Sequence, residues 1–213
     1  MKKKILIVFC SVFLLIILWQ NYDIKKPIVN ALWLEEPRNI GDFHFTTHMN
    51  SDFSQVNLMN HWTILFIGYT GCPDICPNSF QNLNSAYKEL KSIQNNLNVV
   101  FLSVDPKRDT TDKLASYIGF FNDNFIAMTG NEADIYYFTQ KLNLVYMMLD
   151  NPYGGDYLVD HSVDFVLINP EGKLEAMFKS STELAGLTEV SKEVLIEDFK
   201  KITRYQSKKY PII

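Results

Sequence analysis

The hydrophobic pattern along the chain switches repeatedly between two periods. Residues 62–69, "WTILFIGY", form an almost unbroken apolar run, as expected of a strand covered on both faces. The stretch after it carries Phe80, Leu83, Tyr87 and Leu90 at three- and four-residue spacing, which predicts an amphipathic helix. "VVFLSV" (99–104) predicts a second buried strand. Thr110-Thr111 then offers a cap to a helix whose Leu114, Tyr117, Ile118 and Phe121 share one face. "FIAMT" (125–129) predicts a third strand, and Ile135, Phe138 and Leu142 mark a short helix. "VDFVLI" (163–168), the turn Asn169-Pro170-Glu171-Gly172 and "KLEAMF" (173–178) predict a hairpin. A last helix has Leu195, Phe199 and Ile202 inward. Such alternation predicts an α/β fold, a sheet with crossover helices finished by an antiparallel edge.

The N-terminal segment follows another rule. Lys2-Lys3-Lys4 precedes an apolar run from Ile5 to Trp19, broken in polarity only by Ser11. Fifteen residues cover roughly 23 Å as a helix, short of a hydrocarbon core of roughly 30 Å, so a signal sequence is one reading. No small-residue cleavage pair follows, and Trp19 and Tyr22 suit an interface, so residues 1–23 read rather as a single-pass membrane anchor. Cys10 lies inside the run and reads as membrane packing. The lysines predict a cytosolic N-terminus with the rest exported. Residues 24–40, with Pro27, Pro37, Glu35 and Glu36, read as a tether. Residues 41–206 are then the folded domain and 207–213 a tail.

Composition narrows the function classes. A chain of 213 residues with a net charge of −4 holds one ordinary domain and offers no basic footprint for nucleic acid. Residues 24–213 hold 17 Lys+Arg against 23 Asp+Glu, a net of −6. Three cysteines are too few for a disulfide scaffold, and their odd number leaves at least one apart from any pair.

The chemistry gathers at Gly71-Cys72-Pro73-Asp74-Ile75-Cys76-Pro77, between the first buried strand and its helix, where α/β sheets place their sites. Pro77 is suited to a first helical position, which predicts Cys76 at the N-cap and Cys72 on the loop before it. A helix N-terminus favours thiolates, which metal binding and disulfide exchange both require. A structural disulfide is the plainer alternative, but a bridge four residues apart adds little loop-closure stability. His44, His48 and His61 read as surface residues. His161, in Val159-Asp160-His161-Ser162, precedes a strand that could lie beside the cysteines; position alone leaves its role open. Asp105, ending the second buried strand, reads either as a loop cap or as a carboxylate near the site. Met147 and Met148 offer soft sulfur, although packing within "NLVYMM" is the simpler reading. Two thiolates and an imidazole suit copper, and the same pair suits thiol–disulfide exchange.

The segments "IGYTGCPDICPNSF", "LSVDPKRDTTDKLASYIGFF" and "VDHSVDFVLINPEGK" together resemble the Sco/SenC family, copper-binding proteins of cytochrome c oxidase assembly. The resemblance runs over about residues 40–205. It implies a thioredoxin-like fold, a central mixed sheet flanked by helices with extra N-terminal strands. It implies one copper, Cu(I) or Cu(II), held by Cys72, Cys76 and His161, with Asp105 as a neighbour of the ligands or an electron-transfer residue. It also implies a metallochaperone rather than a turnover enzyme, anchored by its N-terminal helix in a bacterial inner membrane with its domain in the periplasm. Its partners would be oxidase subunit II, other copper chaperones and thioredoxin-like reductants. Gly71 stands where many members have histidine, and Asn60-His61 replaces a common Gly-Lys; neither touches an implied ligand. Two other readings use the same pair: an oxidoreductase in which Cys72 attacks and Cys76 resolves, and a peroxide-reducing thiol enzyme. His161 discriminates, since exchange needs no imidazole there.

Overall fold

A computed structural model describes residues 25–209 apart from 74, 153, 155 and 183–187. The anchor expected over residues 1–23 lies outside the described residues. Among those described, no helix is long and apolar enough to cross a membrane. The chain falls into two compact units, Val29–Lys200 and, from the described residues, 25–28 with 201–209. Every site residue lies in Val29–Lys200.

The apolar run at 62–69 becomes β4 (Trp62–Gly68), buried at all seven positions. It pairs in parallel with β5 (Leu97–Ser103), from Trp62 opposite Leu97 to Gly68 opposite Ser103. Helix α2 (Ile75–Ile93) makes the crossover between them. A parallel β6 (Ile126–Thr129) follows α3 (Thr111–Phe121), whose N-cap Thr110 accepts a hydrogen bond from the Lys113 N–H as its side chain predicts. On the other side of β4 stands β9 (Phe165–Ile168), antiparallel, with Leu65 opposite Val166; β10 (Lys173–Phe178) completes the predicted hairpin. Gly172, at φ 70, takes the left-handed position of its turn.

The N-terminal part of the sheet and the ends of the domain differ in detail from the pattern-based reading. Residues 32–39, expected in a tether, form β1 (Leu32–Asn39), an edge strand against β10. Its register shifts between Trp33 and Arg38, and an irregular edge strand is where a sheet admits a proline such as Pro37. The hairpin is therefore interior, not the edge of the sheet. At the opposite edge β2 (His44–Thr47) and β3 (Asp52–Ser54) pair antiparallel, with β2 beside β6. The sheet order is β1-β10-β9-β4-β5-β6-β2-β3. A short α1 (Gln55–Leu58) leads from β3 toward β4. Asn60, just before β4, adopts φ 64, a conformation that asparagine tolerates as glycine does. At the C-terminus α5 runs from Lys192 to Lys209, taking in the start of the segment read as a tail.

The sheet is covered on both sides. Phe66 and Phe101 meet Phe80 of α2 at 4.9 and 5.0 Å between ring centroids, and Phe121 of α3 stacks on Phe80 at 4.5 Å. Leu65, Ile67, Val100 and Leu102 join a second apolar cluster with Phe45 and with Phe138 of α4 (Glu132–Lys141). Residues that alternate along β4 and β5 thus enter different layers, which is why both runs are apolar throughout.

Candidate metal centre

The topology gathers three segments at one end of the sheet. Strands β4 and β5 end there because they are parallel, and β9 begins there because it is antiparallel to β4. The residues just after β4 and β5 and just before β9 must therefore meet. These are the cysteine loop, the Asp105 turn and the segment containing His161.

After β4 the chain turns sharply, with the Cys72 N–H donating to the Tyr69 carbonyl at 3.2 Å. Cys76 follows in the first turn of α2 and is buried, with its N–H donating to Cys72 Sγ at 3.4 Å. The helix begins at Ile75, so Cys76 is inside it and not at its N-cap. A proline as third helical residue costs no hydrogen bond, because the first-turn N–H groups have no helical partner. His161 closes β8 (Leu158–His161), which forms a separate two-stranded ribbon with β7 (Tyr146–Leu149). Its imidazole thus comes from a ribbon ahead of β9. The donor atoms of Cys72, Cys76 and His161, all buried, lie within 4.8 Å of one another.

The imidazole is oriented through its other nitrogen. His161 Nδ1 lies 3.0 Å from the Ser162 carbonyl, an acceptor, so Nδ1–H donates there and Nε2 is the nitrogen turned toward the sulfurs. That Nε2 is 3.4 Å from Cys76 Sγ. The two free thiols are electrostatically unequal. A hydrogen bond from Cys76 lowers Cys72 to about 4 against the opposing effect of burial, helped by His161 and the Cys76 N–H. The same hydrogen bond, together with burial, raises Cys76. His161 is raised: burial opposes its charge, but its hydrogen bonds toward Cys72 and Ser162 prevail.

Two surrounding groups hold this end of the sheet. Asp105 is buried and is not one of the three clustered donors. Its carboxylate takes an ion pair from Arg108 and a hydrogen bond from the Tyr157 hydroxyl at 2.6 Å, while its carbonyl accepts the Asp109 N–H. Arg108 lies 4.0 Å from the Tyr157 ring and 5.4 Å from that of Tyr69, whose edge meets His161 at 6.1 Å. The Asp105 carboxylate therefore faces the cluster through Arg108 and Tyr69, while its backbone joins the Asp109 network behind the cysteine loop. The pattern reading missed Asp109. Fully buried, it accepts from the Thr70 N–H at 2.9 Å, the Thr70 hydroxyl, and the Ser103 hydroxyl at 2.6 Å. It ties the cysteine loop to the end of β5. A second acid four residues after Asp105 was the available signal, too weak without knowing where the chain turns.

Gly68 sets how closely Cys76 approaches β4. A methyl group there would overlap Cys76 Sγ and come within 3.0 Å of the Phe101 ring. Gly68→Ala should cost about 1–3 kcal/mol by overpacking and displace the Cys76 sulfur. Thermal unfolding together with Cu(I) titration checks this; an unchanged protein would show that the sulfur has room. His44 pairs with Asp52, His48 bonds to Ala127, and His61 lies against the Met59 carbonyl; none joins the cluster.

Two cysteines and an oriented histidine that could hold a soft metal ion stand at the end of the first parallel strand of a mixed α/β sheet. The SCO1/SenC family model matches residues 34–195, and the chain belongs to that family. An SCO2-like protein of Rickettsia typhi is 32% identical over 183 residues, covering 81% of this chain and 90% of that protein. Copper-bound ScoI of Arabidopsis thaliana superposes with a TM-score of 0.68 at 30% identity, over 77% of this chain and 97% of that structure. Copper-bound yeast Sco1 gives 0.65 at 25% identity, over 82% and 92%. The chain spans between 46% and 57% of the length of mitochondrial relatives from zebrafish, Arabidopsis and human.

Proposed function

We propose that this protein is a copper metallochaperone that holds one copper through Cys72 Sγ, Cys76 Sγ and His161 Nε2 and serves assembly of the binuclear copper site in cytochrome c oxidase subunit II. The observation that carries the reading is the convergence of these three donors, two soft sulfurs and an imidazole nitrogen. Such a set suits Cu(I), and with a weak further ligand Cu(II). The copper-bound relatives support the same cargo. Asp105 acts on the site through Arg108 and Tyr69. Residues 1–23 anchor the protein in a bacterial inner membrane, with the domain in the periplasm. Other copper chaperones and thioredoxin-like reductants would load and reduce it.

An anaerobic Cu(I) titration of the reduced protein against a competing chelator tests the site. One tight equivalent is expected. His161→Ala should weaken it by more than the roughly 10–100-fold that losing a ligand's supporting neighbour costs. Unchanged binding in that variant would sink the three-donor site.

The unequal thiols favour a second reading alongside the first. A thiolate at Cys72 and a protonated Cys76 are an attacking and a resolving thiol, the requirement for a thiol–disulfide reductase. A reduction potential well below about −300 mV would mark the disulfide as structural and remove this activity.

A further inference from the structure

The three donors are buried, but Cys72 at 8% and His161 at 9% exposure leave a narrow approach from solvent, whereas Cys76 at 1% is closed. The β7–β8 ribbon that supplies His161 carries an exposed apolar strip of Val145, Met147, Met148, Leu149 and Leu158. Its register sorts the two methionines. Tyr146 lies opposite His161, Met147 opposite Asp160, and Met148 opposite Val159. Because side chains alternate along a strand, Tyr146, Met148, Val159 and His161 share one face, while Met147 and Asp160 share the other. Val159 and His161 on the first face are buried. Met148 is the diagonal neighbour of His161, about 7–8 Å away along the ribbon and within reach of a long side chain, yet it remains open to solvent. It is thus solvent-exposed on the ribbon face that carries His161.

The other exposed methionines lie elsewhere. Met49 sits in the β2–β3 turn, at the far edge of the sheet, and Met59 precedes β4 at the end opposite Gly68. Among the described residues Met148 is thus the exposed soft sulfur on the inner face of the His161 ribbon.

Resting on the copper reading above, we propose that Met148 is a further copper-binding residue, a solvent-side thioether that takes up Cu(I) and passes it inward to Cys72, Cys76 and His161. A thioether is a soft, neutral sulfur donor suited to Cu(I). The transfer is a ligand exchange. The Cu–Sδ bond to Met148 breaks as the Cu–Sγ bond to the Cys72 thiolate forms; no electron moves, and the Cys76 thiol releases its proton to solvent as its sulfur joins the ion. A neutral donor holds the ion less firmly than a thiolate does, which gives the exchange its inward direction.

The test uses the reduced full-length protein with Met148→Leu, and Met147→Leu as the opposite-face control. Stopped-flow uptake of Cu(I) from a chelator complex should be about tenfold slower in Met148→Leu and unchanged in Met147→Leu, with equilibrium affinity nearly the same in all three. In a Cys72→Ser/Cys76→Ser protein labelled with ¹³C-methyl methionine, added Cu(I) should shift the Met148 methyl signal and leave Met147 in place. Equal uptake rates in wild type and Met148→Leu would overturn the role of Met148 alone, as would a shift confined to Met147. Absence of Cu(I) uptake by the wild type would overturn the three-donor site and this proposal with it.

Discussion

Replacing Asp109 by alanine is expected to cost about 3–5 kcal/mol of folding stability, although this residue touches none of the proposed ligands. The carboxylate is fully buried and accepts from the Thr70 N–H, the Thr70 hydroxyl and the Ser103 hydroxyl. Its removal strands these donors where water does not replace the acceptor, and each orphaned group costs about 1–3 kcal/mol. Lys113, 3.3 Å away and half exposed, adds little through its ion pair. Because Thr70 lies two residues before Cys72, the loss also frees the cysteine loop, so copper affinity should fall with stability. Asp109→Asn keeps the shape and one acceptor and should cost less. At 2–4 °C per kcal/mol for a domain of this size, thermal unfolding should drop by roughly 6–20 °C in the alanine protein. A melting temperature within error of wild type would refute the anchoring role.

Alkylation of Cys72 should be nearly independent of pH between about 5 and 7, where an ordinary thiol loses reactivity tenfold per unit, a divergence of about two decades. The sign follows from the direction of the shift. Cys72 is depressed to about 4, so its thiolate persists until the pH falls through that value. Cys76 is raised, so it stays a thiol throughout the window and should be modified little in the native protein. Absolute rates at neutral pH need not be high, since nucleophilicity falls with the pKa; the flat profile is the signature. His161 contributes to the lowering, so His161→Ala should move the break to higher pH. Rates of iodoacetamide labelling, with peptide mapping to assign the site, measure both. A profile rising tenfold per unit would mean that Cys76 and His161 do not stabilise the thiolate.

Much of the domain could be read from periodicity because its central strands are buried on both faces. Strands β4 and β5 gave continuous apolar runs, and the crossover helices showed clear apolar stripes with a recognisable cap at Thr110. The strand at 32–39 was not legible. Edge strands are half solvated, and this one carries Pro37 and two glutamates, so its composition matches a linker. The start of α2 was placed late because Pro77 argues against a helical residue before it, whereas the first turn of a helix tolerates proline.

By itself the sequence determined that a cysteine pair stands between a buried strand and its helix, with an aspartate after the next strand and a histidine before a third. Those positions are local, written in periodicity and in the motifs that link this chain to its family. Only the tertiary structure decided which of them meet. The antiparallel setting of β9 against β4 brings His161 to the cysteines, since it places the start of one strand beside the end of the other. Burial by neighbouring elements, which spacing does not encode, made Asp109 an anchor of the cysteine loop and set Asp105 one layer away behind Arg108 and Tyr69. The ribbon register, likewise a matter of long-range pairing, separated two adjacent methionines onto opposite faces.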